Sequence, residues 1–477
     1  MRHRSRSTAA RRIAVAALLA TPLAVSGPVA LAADGEAAGP TAVTADFNND
    51  GYADIVATAP HGTVAGKPGA GYVTVVHGSA KGADTAKHQV ISQATAGVPG
   101  EPTEDGGFGY RTVARDLDGD GCDDLVIDTG YDSEVTVLWG STDGKGGAAT
   151  LPGIDRNVTA GDFNGDGHTD LVSDAEDGDE PQLHVAYGPF TRAGQPASTG
   201  TINTGRTFGS VDLVAGDLTG DGKDDLVSFH AFEEMSEGSQ LWRGTGEGLS
   251  SAASALPAAA AGTVGDVDND GYGDLVFRPV PNGVVEDLPY DKGTVKVLHG
   301  AAGGPGARTT TLTQDSAGVP GVGEEGDQFG YTLSAGDVNG DGYADIAVGV
   351  PFEDLTDSSG RALKDAGSTV LLKGGKGGLS GAGSQAFTQD TPGVPGVAES
   401  GDRHGEALAL LDTNGDGKAD LTTGAPGEDG TTLKDTGAAW SLLGSPTGLT
   451  TTGAVSYGPG ALGGPESGAA LGSGFPR

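Results

Sequence analysis

After residue 33 the apolar positions fall in short runs. TAVTADF, DIVATAP, GYVTVVHG and HQVISQ follow one another between residues 41 and 93, and YTLSAGDV, DIAVGVP, STVLLKGG and SQAFTQ between 331 and 389. Each run is strand-length, β-branched or alternating, and bounded by Gly, Pro or Asp, which is the mark of short β-strands. No stretch there sustains a helical period over ten residues with capping signals. The pattern predicts an all-β chain.

The polar segments between the first and second runs repeat. They read DFNNDGYAD (46–54), DLDGDGCDD (116–124), DFNGDGHTD (162–170), DLTGDGKDD (217–225), DVDNDGYGD (266–274), DVNGDGYAD (337–345) and DTNGDGKAD (412–420). Their starts are 70, 46, 55, 49, 71 and 75 residues apart. Such periods belong to blades or solenoid turns, and β-solenoid turns are shorter and more uniform. Four strands repeated seven times predict a seven-bladed β-propeller of four-stranded antiparallel blades, with one calcium loop per repeat.

The loop itself suits a hard cation. Calcium takes six to eight oxygens, and a nine-residue loop supplies them from positions 1, 3, 5 and 9 plus the backbone carbonyl of position 7. Position 1 is Asp46, Asp116, Asp162, Asp217, Asp266, Asp337 and Asp412, and position 3 is Asn48, Asp118, Asn164, Thr219, Asp268, Asn339 and Asn414. Position 5 is Asp50, Asp120, Asp166, Asp221, Asp270, Asp341 and Asp416, and position 9 is Asp54, Asp124, Asp170, Asp225, Asp274, Asp345 and Asp420. The carbonyls at position 7 belong to Tyr52, Cys122, His168, Lys223, Tyr272, Tyr343 and Lys418. Gly at position 6 permits the sharp turn that brings these oxygens together. Position 12 is never the Glu of an EF-hand, and strand-like runs replace its helices. Magnesium, which keeps several waters, fits less well. Up to seven Ca2+ ions are expected, with the fourth loop weakest because Thr219 brings no charge.

Charge agrees with an ion and narrows the partners. The formal charge is −37, so nucleic acid and anionic membranes are repelled. Arg-rich residues 1–12, an uncharged apolar stretch and Ala30-Leu31-Ala32 read as a secretory signal peptide over 1–32, leaving 33–477 as one secreted, extracellular domain. Sec export is preferred over the twin-arginine route. No later segment is long and apolar enough to span a bilayer, so membrane insertion is not expected. The single Cys, Cys122, excludes an internal disulfide. A monomer is expected.

FGYRTVARDLDGDGCDDLV (108–126), FGYTLSAGDVNGDGYADIAVGVP (329–351) and HGEALALLDTNGDGKADLTTGAP (404–426) resemble FG-GAP repeats, the units of the seven-bladed N-terminal propeller of integrin α subunits. The resemblance runs from about residue 40 to the end. It implies calcium in the loops and a non-catalytic recognition or adhesion role toward an extracellular protein or glycan. It also leaves two alternatives: a propeller lectin, or a hydrolase related to FG-GAP phospholipases. No nucleophile elbow, zinc motif or isolated acid pair supports catalysis, and an enzyme is not expected. Trp139, Trp242 and Trp440 fall on third strands, where core packing is the simpler reading than a sugar platform. His61, His77, His168, His230 and His299 read as surface or strand-end residues.

Two further expectations concern placement. Strands alternate direction, so the 2–3 loops and the 4–1 connectors share the face opposite the calcium loops. They are elaborate in units five, six, seven and one, and shorter in two, three and four. That sector is the expected ligand surface, with Asp354, Asp357, Arg361, Asp429 and Tyr290 as candidates. The tail 466–477, PESGAALGSGFPR from 465, resembles the start of another repeat and is expected to pair beside the first unit and close the ring.

Overall fold

The computed structural model describes residues 45–130, 135–177 and 180–476. The expected signal peptide 1–32, the residues that follow it to 44 and the weak first strand before the first loop lie outside them. The fold is an all-β, seven-bladed propeller of antiparallel blades. Blade 6 shows the plan: Leu333–Gly336 pairs with Asp345–Val350, then Ser368–Lys373, then Ser380–Phe387. The same order starts at Arg111–Arg115, Thr159–Gly161, Ser210–Gly216, Ala259–Gly265 and Ala407–Leu411 in blades 2, 3, 4, 5 and 7.

Burial across a blade explains the run types. Second strands such as Ile55–Ala59, Asp124–Asp128 and Asp345–Val350 are buried at every residue. Both of their faces are covered by neighbouring blades, so they read as continuous apolar runs. Each fully buried Val, Leu or Ile there contributes roughly 1.5–3 kcal/mol. The outer strand Thr450–Tyr457 buries only Tyr457 fully. Its Thr, Gly and Ser residues suit an exposed sheet edge. Trp139, Trp242 and Trp440 are all buried, and pack in the core.

Blades 3 and 4 differ from the short units expected. Their second strands are eight residues long and pair along most of their length with a third strand or an added one. Asp170–Asp177 and Glu180–Tyr187 form an eight-residue pair. In blade 4, Asp225–Phe232 pairs with an added strand, Met235–Ser236. A short connection between strands leaves the ladder no reason to stop, so length lost from the loop reappears as hairpin. The blade 4 tip reaches its neighbour, where Val285 N–H donates to Glu234 O at 2.8 Å.

The first described residue and the C-terminal tail both meet the second strand of blade 1. Ala45 O accepts from Asp54 N–H at 2.9 Å at one end of Ile55–Ala59. At the other, Gly472 N–H donates to Thr58 O and Thr58 N–H donates to Gly474 O, each at 3.0 Å. Leu471-Gly472 occupies the place that Phe329-Gly330 and His404-Gly405 hold in blades 6 and 7. Each bridges the glycine before a preceding third strand: Gly437 to Leu471, Gly293 to Phe329 and Gly367 to His404. Leu462, Ala469, Leu471 and Phe475 then join Ile55, Ala57 and Tyr72 in one buried cluster. The inner strands and residues 473–476 of the tail surround a central cavity of about 450 Å³.

Candidate metal centres and ligand face

The seven loops share one internal construction. The position-1 carboxylate accepts from the position-6 glycine N–H at 2.7–2.9 Å in every copy. The position-5 carboxylate accepts from the position-7 N–H at 2.9–3.2 Å in every copy. Position 6 is Gly51, Gly121, Gly167, Gly222, Gly271, Gly342 and Gly417, with φ between 79° and 87°. A second left-handed residue stands at position 4, with φ between 51° and 76°. There the residue is always Gly or Asn, the two types that tolerate this conformation most readily. That signal was in the repeat all along.

The ninth-position aspartates are fully buried, and they bracket the blade. In six loops one oxygen accepts from the position-2 N–H and the other from the glycine that follows the third strand. In loop three, Phe163 N–H and Gly188 N–H reach Asp170 at 3.0 and 2.9 Å. Loop six keeps the glycine bond, Gly374 to Asp345 at 2.9 Å, while Lys373 Nζ lies 3.4 Å from the other oxygen. Burial pushes Asp124, Asp170 and Asp274 up to about 7, and Asp225, Asp345 and Asp420 up to about 6, against the pull of these hydrogen bonds. Asp54 is raised too, for the same reason.

Carboxylates converge most closely in loops two and five. Single oxygens of Asp116, Asp118 and Asp124 lie within 4.8 Å of one another, as do those of Asp266, Asp268 and Asp270. Asn48 Oδ1 and Asp268 Oδ1, both at position 3, are buried without a hydrogen-bond partner. A cation would satisfy both atoms, so the donor set fits calcium.

Several residues beside the loops escaped the sequence reading. His299 sits at a strand end, directly after Val295–Leu298, but is buried, and its Nδ1 lies 3.2 Å from Asp274 and 3.6 Å from Asp268. His230 is buried as well, bonded to Ser228 and to Phe208 O. His77 Nδ1 lies 3.1 Å from Asp54, a contact that raises its pKa. His77, His299 and Lys373 occupy one position, the residue before the glycine that follows the third strand. Arg192 contacts Asp118 and Asp120, and Arg308 contacts Asp268. Only loops two and five have Asp at position 3. An arginine therefore accompanies each fourth carboxylate.

The loops also touch each other. Position-8 N–H groups donate to position-1 carbonyls of the preceding loop: Asp123 to Asp46, Asp224 to Asp162, Gly273 to Asp217, Ala344 to Asp266 and Ala419 to Asp337, at 2.7–3.0 Å. Ala53 N–H closes the series on Asp412 O at 3.0 Å. At position 7, His168, Lys223, Tyr272, Lys418 and Tyr52 pack near the position-4 glycine of the loop before their own.

On the opposite face the candidates are unevenly available. Asp357 and Arg361 pair with each other at 3.1 Å, and Asp429 accepts from Lys434 at 2.7 Å. Asp354 accepts from Asp365 N–H at 2.8 Å. Tyr290 is 74 % exposed, at the end of the 3-10 turn Val285–Tyr290.

Comparison with known proteins matches this architecture. Residues 38–76, 329–370 and 404–442 match the FG-GAP repeat family, and residues 104–173 match its FG-GAP-like variant. Integrin alpha-PS2 of Drosophila melanogaster is 37 % identical over 93 residues, which is 19 % of this chain and 6 % of that protein. Integrin alpha-E of Mus musculus is 28 % identical over 171 residues, 34 % of this chain and 12 % of that protein. Phosphatidylinositol-glycan-specific phospholipase D of Bos taurus is 34 % identical over 121 residues, 25 % of this chain and 14 % of that protein. The chain thus matches a small part of each relative's length. Among the described residues no helix is long and apolar enough to cross a membrane.

Proposed function

Since this chain carries FG-GAP repeats on a seven-bladed propeller, we propose that it is a secreted, calcium-binding recognition module for an extracellular protein or glycan. The observation that carries the calcium half is the repeated loop, with its buried position-3 oxygens left unpaired in loops one and five. Positions 1, 3, 5 and 9 with the position-7 carbonyl would hold the ion, which would neutralise the carboxylates and stiffen the loop ring. Partner binding is assigned to the other face, where blades five to seven carry their longest loops. The buried tryptophans give no support to the lectin alternative. The hydrolase alternative rests on the phospholipase likeness alone.

Two measurements test the reading. Calcium titrated calorimetrically into metal-free protein is expected to bind at several sites and raise the melting temperature; no heat and no shift would overturn the calcium assignment. Immobilised protein, challenged with purified extracellular proteins and a glycan array, is expected to retain a partner in calcium and release it in chelator. Turnover of a phosphodiester panel without such retention would favour the hydrolase.

A further inference from the structure

Three seams between neighbouring blades are plugged by a leucine from the chain itself. After the third strand of blades 4, 6 and 7 a tight turn closes on a glycine. Gly248 N–H donates to Thr245 O, Gly378 N–H to Gly375 O and Gly448 N–H to Ser445 O, at 2.6–2.9 Å. The next residue is Leu249, Leu379 or Leu449. Each packs into the seam with the blade before. Leu379 shares one cluster with Val267, Val297, Ile346 and Leu372, and Leu449 one with Val338, Leu371, Leu421 and Leu442. Leu249 packs on the corresponding Phe163, Val185, Leu226 and Trp242.

The seam between blades 1 and 2 has the same walls without the inserted leucine. Phe47, Val75, Leu125 and Leu138 stand at the four equivalent positions. Gly144 N–H closes the same turn on Ser141 O at 3.0 Å. Lys145 follows it, with its side chain 81 % exposed beside Asp143. Gly146, Gly147 and Ala148 come next and offer one methyl group among them. An open cavity of about 240 Å³ remains, lined by the four apolar residues. An apolar cavity of about 150 Å³ already holds benzene, so a leucine side chain fits.

The rim supplies polar groups for a main chain. Gln385 lies opposite Leu371 in the register of blade 6 and grips Leu449 by its peptide groups. Its Nε2 donates to Leu449 O at 3.0 Å, and its Oε1 accepts from Leu449 N–H at 2.9 Å. Gln89 lies opposite Val75 in the same register of blade 1 and lines the cavity. It is exposed, and among the described residues its amide meets only His77 Nε2, at 3.5 Å.

We infer that the seam between blades 1 and 2 is a docking site for a leucine, or a similar branched aliphatic residue, in a partner polypeptide. The side chain takes the cavity, and Gln89 holds that residue's N–H and C=O as Gln385 holds those of Leu449. The filled seams identify the occupant. Their walls surround leucine, and the glutamine at the rim of one of them grips a peptide group. A hydrocarbon ligand would use the walls and leave the amide idle. Pocket burial then supplies selectivity and the main-chain bonds add affinity. The site stands apart from the long loops of blades five to seven.

N-acetyl-leucine-N-methylamide, titrated into the full chain by NMR, should bind roughly fivefold or more tighter than its glycine counterpart. Lys145→Leu gives this seam a leucine of its own. It should weaken the leucine probe roughly tenfold or more and raise the melting temperature by about 1–3 °C. Gln89→Ala, at an exposed position, should weaken the probe roughly threefold and leave the melting temperature unchanged. Equal binding of the two probes would overturn the inference, as would undiminished binding by the Lys145→Leu variant. A leucine probe indifferent to Gln89→Ala would make the cavity a site for apolar small molecules and overturn the peptide assignment.

Discussion

His404 stands where the other well-formed repeats carry Phe. Both of its ring nitrogens are buried without a partner, and the ring meets Trp440 edge-on at 5.3 Å. Burial holds its pKa down to about 4. The folded value lies below the unfolded one near 6.5, so stability held above pH 6.5 is lost as pH falls toward 4. His404→Phe should therefore raise unfolding free energy by about 1–3 kcal/mol at neutral pH. The gain should grow in acid, as denaturant titrations at pH 7 and 5 would show. At the fifth loop, Arg308 contacts Asp268 and would compete with a bound ion for it. Arg308→Gln should tighten calcium there by roughly tenfold, since close unit charges interact by several kcal/mol at intermediate dielectric. Calorimetry reads the change directly, and weaker binding would make the arginine part of the site.

At the scale of the element, the ninth aspartate links loop entry, second strand and third strand. Its role as a possible metal ligand was legible from spacing. Its role as a bracket was not, because the glycine N–H it accepts lies 16–29 residues further along the chain in loops two and six. Asp170→Asn replaces one acceptor by an NH2 that faces a backbone donor. It should cost about 2 kcal/mol even with chelator present, and a loss seen only with calcium would reduce the residue to a ligand. The strands of blades 3 and 4 teach a related lesson. Their sequence marked short connections correctly, but not that the ladder would lengthen to compensate.

For the whole molecule, Ala45 and the tail residues 472–474 bond to the same strand of blade 1 or its entry. Deleting residues 466–477 removes Ala469, Leu471 and Phe475 from the first blade's buried cluster. At roughly 1.5–3 kcal/mol for each of the two large apolar side chains, Leu471 and Phe475, the melting temperature should fall by roughly 3–7 °C. Leu471→Ala, which leaves the backbone pairing intact, should cost about 2–5 kcal/mol. Thermal melts of both variants decide between packing and pairing as the source.

Local rules were enough for the strands, the seven loops and the glycine turns, because alternation, β-branching and left-handed backbone are properties of neighbouring residues. They also sufficed for the repeat count, and hence for the propeller. Only the tertiary structure decided what each loop touches. It brought Arg192, Arg308, His77 and His299 to carboxylates far from them in sequence, and set position-8 amides against the preceding loop. It also placed Leu471-Gly472 in the slot of a missing Phe-Gly pair. These contacts join groups tens to hundreds of residues apart, and the closure of the ring, not any local preference, determines which of them meet.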